Sequence, residues 1–296
     1  MDSTQNVYSL ETLPRPLAFV FSGGVSLGAM QVGMLRAVCQ SGITPDLVIG
    51  SSAGAINAAF IGQGFGEERI EALAEIWLGL TLTDVFGSIG VREIINLLSG
   101  RKALASPDAL RGLIARYIPD AFEDQLIPTF VTATDYLSGD TFILRTGSLH
   151  ESLLASSAIP FVFPPVIMKG RTLIDGSVTS RVPLLSAQKL GARTLVVFDV
   201  GYPCMLEEPP ETTLEKALHF FSIMLNRQPL GELSSLKKDR IVLYLPSPCP
   251  LSVANYDFSE SDSLIKTGYV LTRDFLEGLF LFGPGIHGHP HYHEDL

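Results

Sequence analysis

Two short apolar segments stand in the first sixty residues of the chain, each followed by small residues and then by a helical pattern. The first apolar segment covers residues 17–22 and precedes a helical pattern over 27–41. The second covers residues 46–51 and precedes the small-residue run 53–60, which predicts a closely packed helix. Short apolar runs next to glycine or proline are typical of buried parallel strands. We therefore expect an α/β fold whose functional site lies at the carboxyl ends of the strands.

The rest of the chain continues this alternation of apolar runs and helical patterns. Further strands are predicted over residues 129–134, 141–145, 172–174, 194–200 and 241–245. Further helices are predicted over residues 67–78, 92–98, 107–117, 183–190, 212–226 and 261–279. The pattern favours one domain over residues 1–296, with a mostly parallel sheet covered on both faces. Residues 62–125 and 202–239 are expected to cover the site, and residues 284–296 to form a flexible polar tail that contains histidines.

Composition and charge exclude several classes of function. Lys and Arg number 21 against 31 Asp and Glu, which leaves a formal net charge of −10 and no basic cluster for nucleic acid. The scattered cysteines Cys39, Cys204 and Cys249 favour reduced thiols. Residues 1–16 lack the layout of a secretory signal, and the apolar stretch 275–286 is too short to span a bilayer. We therefore expect a cytoplasmic protein, and a peripheral contact with a membrane surface stays open.

A Gly-x-Ser-x-Gly pattern at the end of the second predicted strand is the strongest catalytic signal. It is formed by Gly50, Ser52 and Gly54, and Ala53 follows the serine directly. A nucleophile elbow holds its serine on a sharp turn and needs small neighbours, because the strand and the helix must come close. The pattern predicts Ser52 as the nucleophile. Tight strand–helix packing without catalysis is the alternative.

A second such pattern, Gly24-x-Ser26-x-Gly28, follows the first predicted strand. Bulky Leu27 after the serine favours tight packing over a second nucleophile. A nucleotide-binding loop fits poorly, because the glycine spacing does not make Gly-x-Gly-x-x-Gly and no Gly-Lys-Ser/Thr is present.

The glycines at the end of the first strand suit another role in acyl transfer. The backbone N–H groups of Gly23, Gly24 and Val25 can point into the space above the sheet, where they would stabilise an oxyanion. The N–H of Ala53, next to the predicted nucleophile, would be a further donor.

The base that would activate the serine is predicted to be a carboxylate. The two histidines in the body of the chain, His150 and His219, have no neighbouring loop signature, and the other four lie between residues 287 and 293 in the polar tail. That tail is interpreted as a flexible segment and not as a metal site. Asp175 stands at a predicted strand end before Gly176, and it would have to be desolvated and hydrogen-bonded to the serine. An exposed Asp-Gly turn is the alternative.

Taken together, the motifs at residues 21–35, 49–59, 155–165 and 174–177 resemble the patatin-like phospholipase family. The resemblance extends over about 17–200 and implies a three-layer α/β/α sandwich. It also implies a dyad of Ser52 and Asp175 without histidine, oxyanion donors between Gly23 and Ser26, and no metal or cofactor. The implied reaction is hydrolysis of carboxylic esters in (lyso)phospholipids or related lipids through an acyl-enzyme.

Three residues depart from the family pattern. Val25 replaces a glycine of the glycine-rich loop, Leu27 replaces its basic residue, and Ser177 follows the Asp-Gly pair. Two other functions therefore stay open. One is a general carboxylesterase or thioesterase that acts on soluble acyl esters, and the other is a lipid-binding regulator with little turnover. The sequence indicates no oligomeric state.

Overall fold

A single mixed sheet organises the protein, which we describe from a computed structural model over residues 9–88 and 104–290. The strands are β1 (Leu17–Phe21), β2 (Leu47–Ser51), β3 (Thr129–Asp135), β4 (Thr141–Leu144), β5 (Val166–Met168), β6 (Arg171–Asp175), β7 (Thr194–Phe198), β8 (Ile241–Tyr244) and β9 (Gly285–His287). Their order in the nine-stranded sheet is β5-β6-β3-β2-β1-β7-β8-β9, and β4 also pairs with β3. The pairs that join β3, β2, β1, β7, β8 and β9 are parallel. The antiparallel strands β4, β5 and β6 lie at the β3 end.

Helices cover both faces of this sheet. They are α1 (Met30–Gln40), α2 (Ala53–Gly62), α3 (Glu67–Gly79), α4 (Leu82–Phe86), α5 (Asp108–Tyr117), α6 (Leu149–Ser156), α7 (Ser177–Ser180), α8 (Leu184–Lys189), α9 (Thr213–Leu225), α10 (Gln228–Ser235) and α11 (Ser261–Glu277). Short 3-10 turns span Leu10–Thr12, Val25–Ala29 and Phe122–Asp124. Within the described ranges, no helix combines the length and the hydropathy needed to cross a membrane.

The alternating residues of β1 show why the sheet needs cover on both sides. Phe19 and Phe21 lie on one face and pack against Phe198, at ring-centroid distances of 5.0 and 4.6 Å. Ala18 and Val20 lie in the hydrophobic cluster of the other face. All of these side chains are fully buried, as expected for a central parallel strand. The predicted mostly parallel sheet with helices on both faces is confirmed.

The register of β3 explains how distant segments meet. Thr132 pairs with Ser51 of β2 and with β4, while Ala133 pairs with β4 and with Asp175 of β6. Since a strand has only two edges, β2 and β6 must share one edge of β3. Asp175 therefore enters that edge one position beyond the end of β2.

Several boundaries differ from the sequence predictions. The first helix begins at Met30 and not at residue 27, because Val25–Ala29 form a 3-10 turn. The three-residue strands β5 and β9 were not predicted, since runs this short carry little periodicity. The expectation of a flexible tail is wrong for Gly285–His287, which pair in parallel with β8. The predicted helix at 92–98 and the tail beyond residue 290 lie outside the described residues.

Candidate functional site

The turn between β2 and α2 holds Ser52 in a backbone conformation that residues other than glycine rarely adopt. Its φ and ψ are 53° and −128°, and only 5% of its surface is exposed. A Cβ at Gly54 would lie 2.3 Å from the Ser22 carbonyl oxygen, so the crossing of strand and helix leaves no room for a side chain there. The Ser52 N–H donates to Ser156 Oγ at 2.8 Å, which holds the turn from the side of α6.

Asp175 lies directly against this serine. Ser52 Oγ donates to Asp175 Oδ2 at 2.7 Å, and the N–H of Ser177 donates to Oδ1 at 2.7 Å. The carboxylate is fully buried, and this desolvation raises its pKa from 3.8 to about 6 against the opposing effect of its hydrogen bonds. The structure therefore places Asp175 in the interior and not on an exposed Asp-Gly turn.

The residues beside Asp175 leave no space around its turn. A Cβ at Gly176 would lie 2.2 Å from the Thr132 carbonyl oxygen and 2.7 Å from Ser51 Oγ. Ser177 Oγ forms a hydrogen bond of 3.2 Å with Ser51 Oγ. The Asp175 turn and the end of β2 are thus held together by side chains as well as by the sheet.

The glycine-rich loop after β1 offers fewer oxyanion donors than the sequence suggested. The N–H of Gly23 donates to the Arg181 carbonyl at 3.0 Å, and the N–H of Ser26 donates to the Asn255 carbonyl at 3.1 Å. The expectation that these two groups face an oxyanion is therefore wrong for this conformation, because both are already bonded. Within the described residues, the N–H groups of Gly24 and Val25 have no hydrogen-bond acceptor.

The backbone around the remaining N–H donors has two distinctive features. Val25 has a φ of 52°, a left-handed conformation that is strained for a β-branched residue. Ala53 is the first residue of α2, where a backbone N–H has no acceptor within the helix. Gly24, Val25 and Ala53 therefore remain the candidates for oxyanion stabilisation.

Ser26, the centre of the second glycine pattern, has a packing role in the structure. It is fully buried, and its Oγ donates to the Ala254 carbonyl at 3.2 Å. A Cβ at Gly28 would come within 2.9 Å of the Trp77 ring. The second pattern thus brings the 3-10 turn against α3.

A buried hydrogen-bond network, which sequence reasoning missed, ties the glycine-rich loop to the helices. Trp77 Nε1 donates to Asn57 Oδ1 at 3.0 Å, and Asn57 Nδ2 donates to Gln31 Oε1 at 2.8 Å and to the Gly28 carbonyl at 3.0 Å. Gln31 Nε2 in turn donates to the Ser22 and Phe198 carbonyls at 2.9 and 3.0 Å. The only sequence signal was a polar residue in each of two apolar helical patterns.

A large apolar cavity opens at Ser52. It encloses about 750 Å³ of empty space, its mouth included, and no charged residue is among the described residues that line it. Its apolar walls come from α2, α3, α4, α5 and the loop after α6, and Phe258 closes one side. Helices α3, α4 and α5 belong to the segment that was predicted to cover the site.

Ser52 also lines a smaller cavity, which has about 330 Å³ of empty space with its opening to solvent included. Gly23, Gly24 and Ser177 line it together with the end of α9. The remaining lining residues are Val25, Ser52, Arg181, Gly201, Tyr202, Phe221, Ser222 and Leu225. Several of these come from the second segment that was predicted to cover the site.

The charged residue in the wall of the small cavity is held in a buried ion pair. Arg181 Nη1 lies 2.8 Å from Asp199 Oδ1, Nη2 donates to Asp199 Oδ2 at 3.0 Å, and Nη1 donates to the Gly201 carbonyl at 3.0 Å. Tyr244 also donates its hydroxyl proton to Asp199. The guanidinium and these hydrogen bonds hold the pKa of Asp199 below its ordinary value despite full burial. Sequence reasoning assigned no role to this pair.

Both histidines in the body of the chain, His150 and His219, lie among the described residues. His150 Nε2 is 2.7 Å from the Ile118 carbonyl oxygen, and burial lowers the pKa of His219 in α9. Among the described residues, no histidine is hydrogen-bonded to Ser52 or Asp175, and no group of three His, Cys, Asp or Glu side chains is arranged to hold a metal ion.

The fold and the site together define an α/β protein with a strained strand-to-helix turn at the carboxyl edge of its sheet. A family profile described as "Patatin-like phospholipase" matches residues 19–187, which is more than half of the chain. The chain belongs to the patatin-like phospholipase family. The predicted resemblance is thereby confirmed.

Individual relatives agree with this membership. Patatin-like phospholipase domain-containing protein 7 of Rattus norvegicus is 29% identical over 188 residues, which cover 62% of this chain and 14% of that protein. Lysophospholipase NTE1 of Meyerozyma guilliermondii is 23% identical over 285 residues, which cover 86% of this chain and 19% of that protein. The chain therefore spans less than a fifth of these relatives. Among solved structures, VipD from Legionella pneumophila is similar with a TM-score of 0.47 and 15% identity, over 90% of this chain and 68% of that one.

Proposed function

We propose that the protein is a serine acyl hydrolase that cleaves carboxylic esters of (lyso)phospholipids or related lipids. Ser52 is the nucleophile and Asp175 is the base. The observation that carries this proposal is the 2.7 Å hydrogen bond to a fully buried carboxylate from the Oγ of Ser52, a residue that lines an apolar cavity. Membership in the patatin-like phospholipase family supports the lipid ester as substrate class.

In the first half of the proposed reaction, Asp175 accepts the proton of Ser52 while Oγ bonds to the ester carbonyl carbon. The carbonyl oxygen becomes an oxyanion, and the N–H groups of Gly24, Val25 and Ala53 are the donors available to it. Collapse of this intermediate breaks the bond to the alcohol oxygen, which takes the proton from Asp175. The products are a free alcohol and an acyl group on Ser52.

In the second half, a water molecule takes the place of the alcohol and hydrolyses the acyl-enzyme. Asp175 accepts a proton from the water, whose oxygen bonds to the acyl carbon. The acyl bond to Ser52 Oγ then breaks, and Oγ recovers the proton from Asp175. One carboxylic acid leaves, and both side chains return to their starting state. A carboxyl with a pKa of about 6 is suited to both roles near neutral pH.

The apolar lining of the large cavity supports a substrate with a long acyl chain over a short soluble ester. Each buried methylene contributes about 0.8 kcal/mol to binding, and the cavity walls are almost entirely apolar. Short-chain esters are therefore expected to have lower kcat/KM than long-chain lipid esters. A binding protein without turnover would show no hydrolysis of either.

Covalent labelling by a fluorophosphonate probe tests the proposal. We expect the wild type to be labelled and Ser52→Ala not to be labelled. Ser26→Ala is the matched control, because Ser26 lies in the other Gly-x-Ser-x-Gly pattern, and this variant should keep the label. An unlabelled wild type, or loss of the label only in Ser26→Ala, would contradict the assignment.

Transient contact with a lipid surface is part of the proposal, and the cytoplasmic location stays a prediction. Phe220, Ile223 and Met224 of α9 are 62%, 46% and 62% exposed, while Phe221 and Leu225 of the same helix line the small cavity. An apolar surface next to the site entrance suits a substrate that resides in a membrane. Cosedimentation with zwitterionic vesicles should fall in Met224→Ser, and equal binding of both proteins would count against this contact.

A further inference from the structure

The position of Ser52 between two cavities indicates how an ester lies in the site. Ser52 and Val25 line both the large apolar cavity and the small one. An ester has an acyl part and an alcohol part on opposite sides of the carbonyl carbon. When that carbon lies at Ser52 Oγ, the two cavities that share this residue offer one space for each part.

The route of the proton decides which part enters the small cavity. In the proposed reaction, the alcohol oxygen takes its proton from Asp175, so the alcohol must leave on the side of that carboxyl group. Ser177, whose N–H holds Asp175 Oδ1 at 2.7 Å, lines the small cavity and not the large one. The large cavity is also the more apolar of the two and suits the acyl chain.

The charges around the small cavity indicate the class of alcohol. Among the described residues that line it, Arg181 is the one with a charged side chain, and that side chain is only 6% exposed. Its guanidinium is already bonded to both oxygens of Asp199 and to the Gly201 carbonyl. A phosphate bound here would meet no cation with charge to spare, and it would have to compete with Asp199 for Arg181.

Hydroxyl groups, in contrast, fit the walls of this cavity. Ser222 Oγ accepts a hydrogen bond from Asn255 Nδ2 at 2.6 Å, so it still has its own proton to donate. Ser177 brings a further hydroxyl group to the wall. Groups of this kind pair with an uncharged polyol without leaving a buried charge unpaired.

From these observations we infer that the small cavity is an alcohol subsite for an uncharged alcohol such as glycerol, so that a neutral single-chain ester is preferred over one that carries a phosphate on its alcohol. This inference rests on the proposed function and narrows its substrate class.

Three substrates with the same acyl chain test the preference: 1-monoacylglycerol, lysophosphatidylcholine and lysophosphatidate. All are dispersed in one nonionic detergent without vesicles, so that membrane binding plays no part. We expect kcat/KM for monoacylglycerol to exceed that for lysophosphatidate by roughly tenfold or more, with the zwitterionic substrate in between. Equal values, or faster turnover of lysophosphatidate, would overturn the inference.

A pair of arginine variants tests whether the small cavity is responsible. Phe221→Arg places a cation in its wall and should raise the ratio of lysophosphatidate to monoacylglycerol turnover by roughly fivefold. Phe220→Arg adds the same charge on the same helix outside the lining residues, and it should leave the ratio within about twofold. Equal shifts in both variants would mean that the charge acts at long range and not in this cavity. If Phe221→Arg does not fold, the wild-type comparison alone decides.

Failure of this inference can be told apart from failure of the proposed function. Hydrolysis of a long-chain nitrophenyl ester that depends on Ser52, together with a preference for lysophosphatidate, would overturn only the alcohol subsite. Absence of both probe labelling and ester hydrolysis would overturn the proposed function itself.

Discussion

Replacing Asp175 by asparagine removes a buried charge while it keeps the size and shape of the side chain. The asparagine oxygen can still accept from the Ser177 N–H, and its amide can donate to Ser52 Oγ, where the carboxylate now accepts. Since burial alone disfavours the ionised carboxyl, we expect Asp175→Asn to be more stable than the wild type at pH 8. We also expect ester hydrolysis to fall by roughly a thousandfold or more, because the base is lost.

The magnitude follows from the pKa of Asp175. Burial raises it from 3.8 to about 6, and each unit corresponds to about 1.4 kcal/mol, so the charged form costs the folded state about 3 kcal/mol. Above pH 6 both the folded and the unfolded chain carry this charge, and the full cost is present. Between pH 6 and pH 4 the folded state binds the proton first, and the cost disappears. The advantage of Asp175→Asn is therefore largest at pH 8 and shrinks as the pH falls towards 4.

Urea unfolding of both proteins at several values between pH 5 and pH 8 measures this difference, and other titrating groups cancel in it. A difference at pH 8 below about 1 kcal/mol, or one that does not change with pH, would refute the reasoning. Asp199→Asn is the matched control with the opposite sign. It removes the partner of buried Arg181 and should lower the free energy of unfolding by about 3–5 kcal/mol.

Three further predictions concern the Ser52 turn and its partner Asp175. We expect kcat/KM to fall about tenfold per pH unit below pH 6, where Asp175 becomes protonated, and a flat pH profile down to pH 5 would contradict its role as base. The free energy of unfolding of Ser52→Gly, measured with urea, should exceed that of Ser52→Ala by about 1 kcal/mol, because only glycine adopts a φ of 53° without strain. Equal stability of the two variants would argue against strain at this turn. Gly54→Ala should lose several kcal/mol in the same assay or fail to fold, because its Cβ would lie 2.3 Å from the Ser22 carbonyl oxygen, and a loss under about 1 kcal/mol would show that the crossing can widen.

Local patterns in the sequence were sufficient to predict the main strand–turn–helix units. The turn at Ser52 was predicted because the small residues at positions 50, 53 and 54 are what a close crossing of strand and helix requires, and this requirement is local. The approach of Asp175 is not local. It depends on β6 entering the edge of β3 just beyond β2, a register that no motif encodes.

The side-chain contacts that the sequence did not reveal join residues that are far apart in the chain. Arg181 and Asp199 meet only because the loop after α7 crosses the end of β7. Asn57 and Trp77 meet only because α2 and α3 pack together, and each looked like one residue of an ordinary helix. The oxyanion prediction was too broad for the same reason, since the carbonyls that occupy the N–H groups of Gly23 and Ser26 come from residues 181 and 255.

Under the proposed mechanism, burial also explains how the Asp175 carboxylate does the work that a histidine does in a Ser-His-Asp triad. At its ordinary pKa of 3.8, an aspartate would accept the Ser52 proton poorly. A shift of about two units makes that proton transfer roughly a hundredfold more favourable and brings Asp175 close to the value of about 6.5 that is typical of imidazole. The folded state must then tolerate a desolvated charge beside a strained serine backbone. It does so because the Ser156 hydroxyl, the Ser177 N–H and the crossing at Gly54 leave the turn no alternative arrangement. Under the proposed mechanism, burial makes Asp175 the stronger base, and the Ser177 N–H, which lowers its pKa, holds it in position.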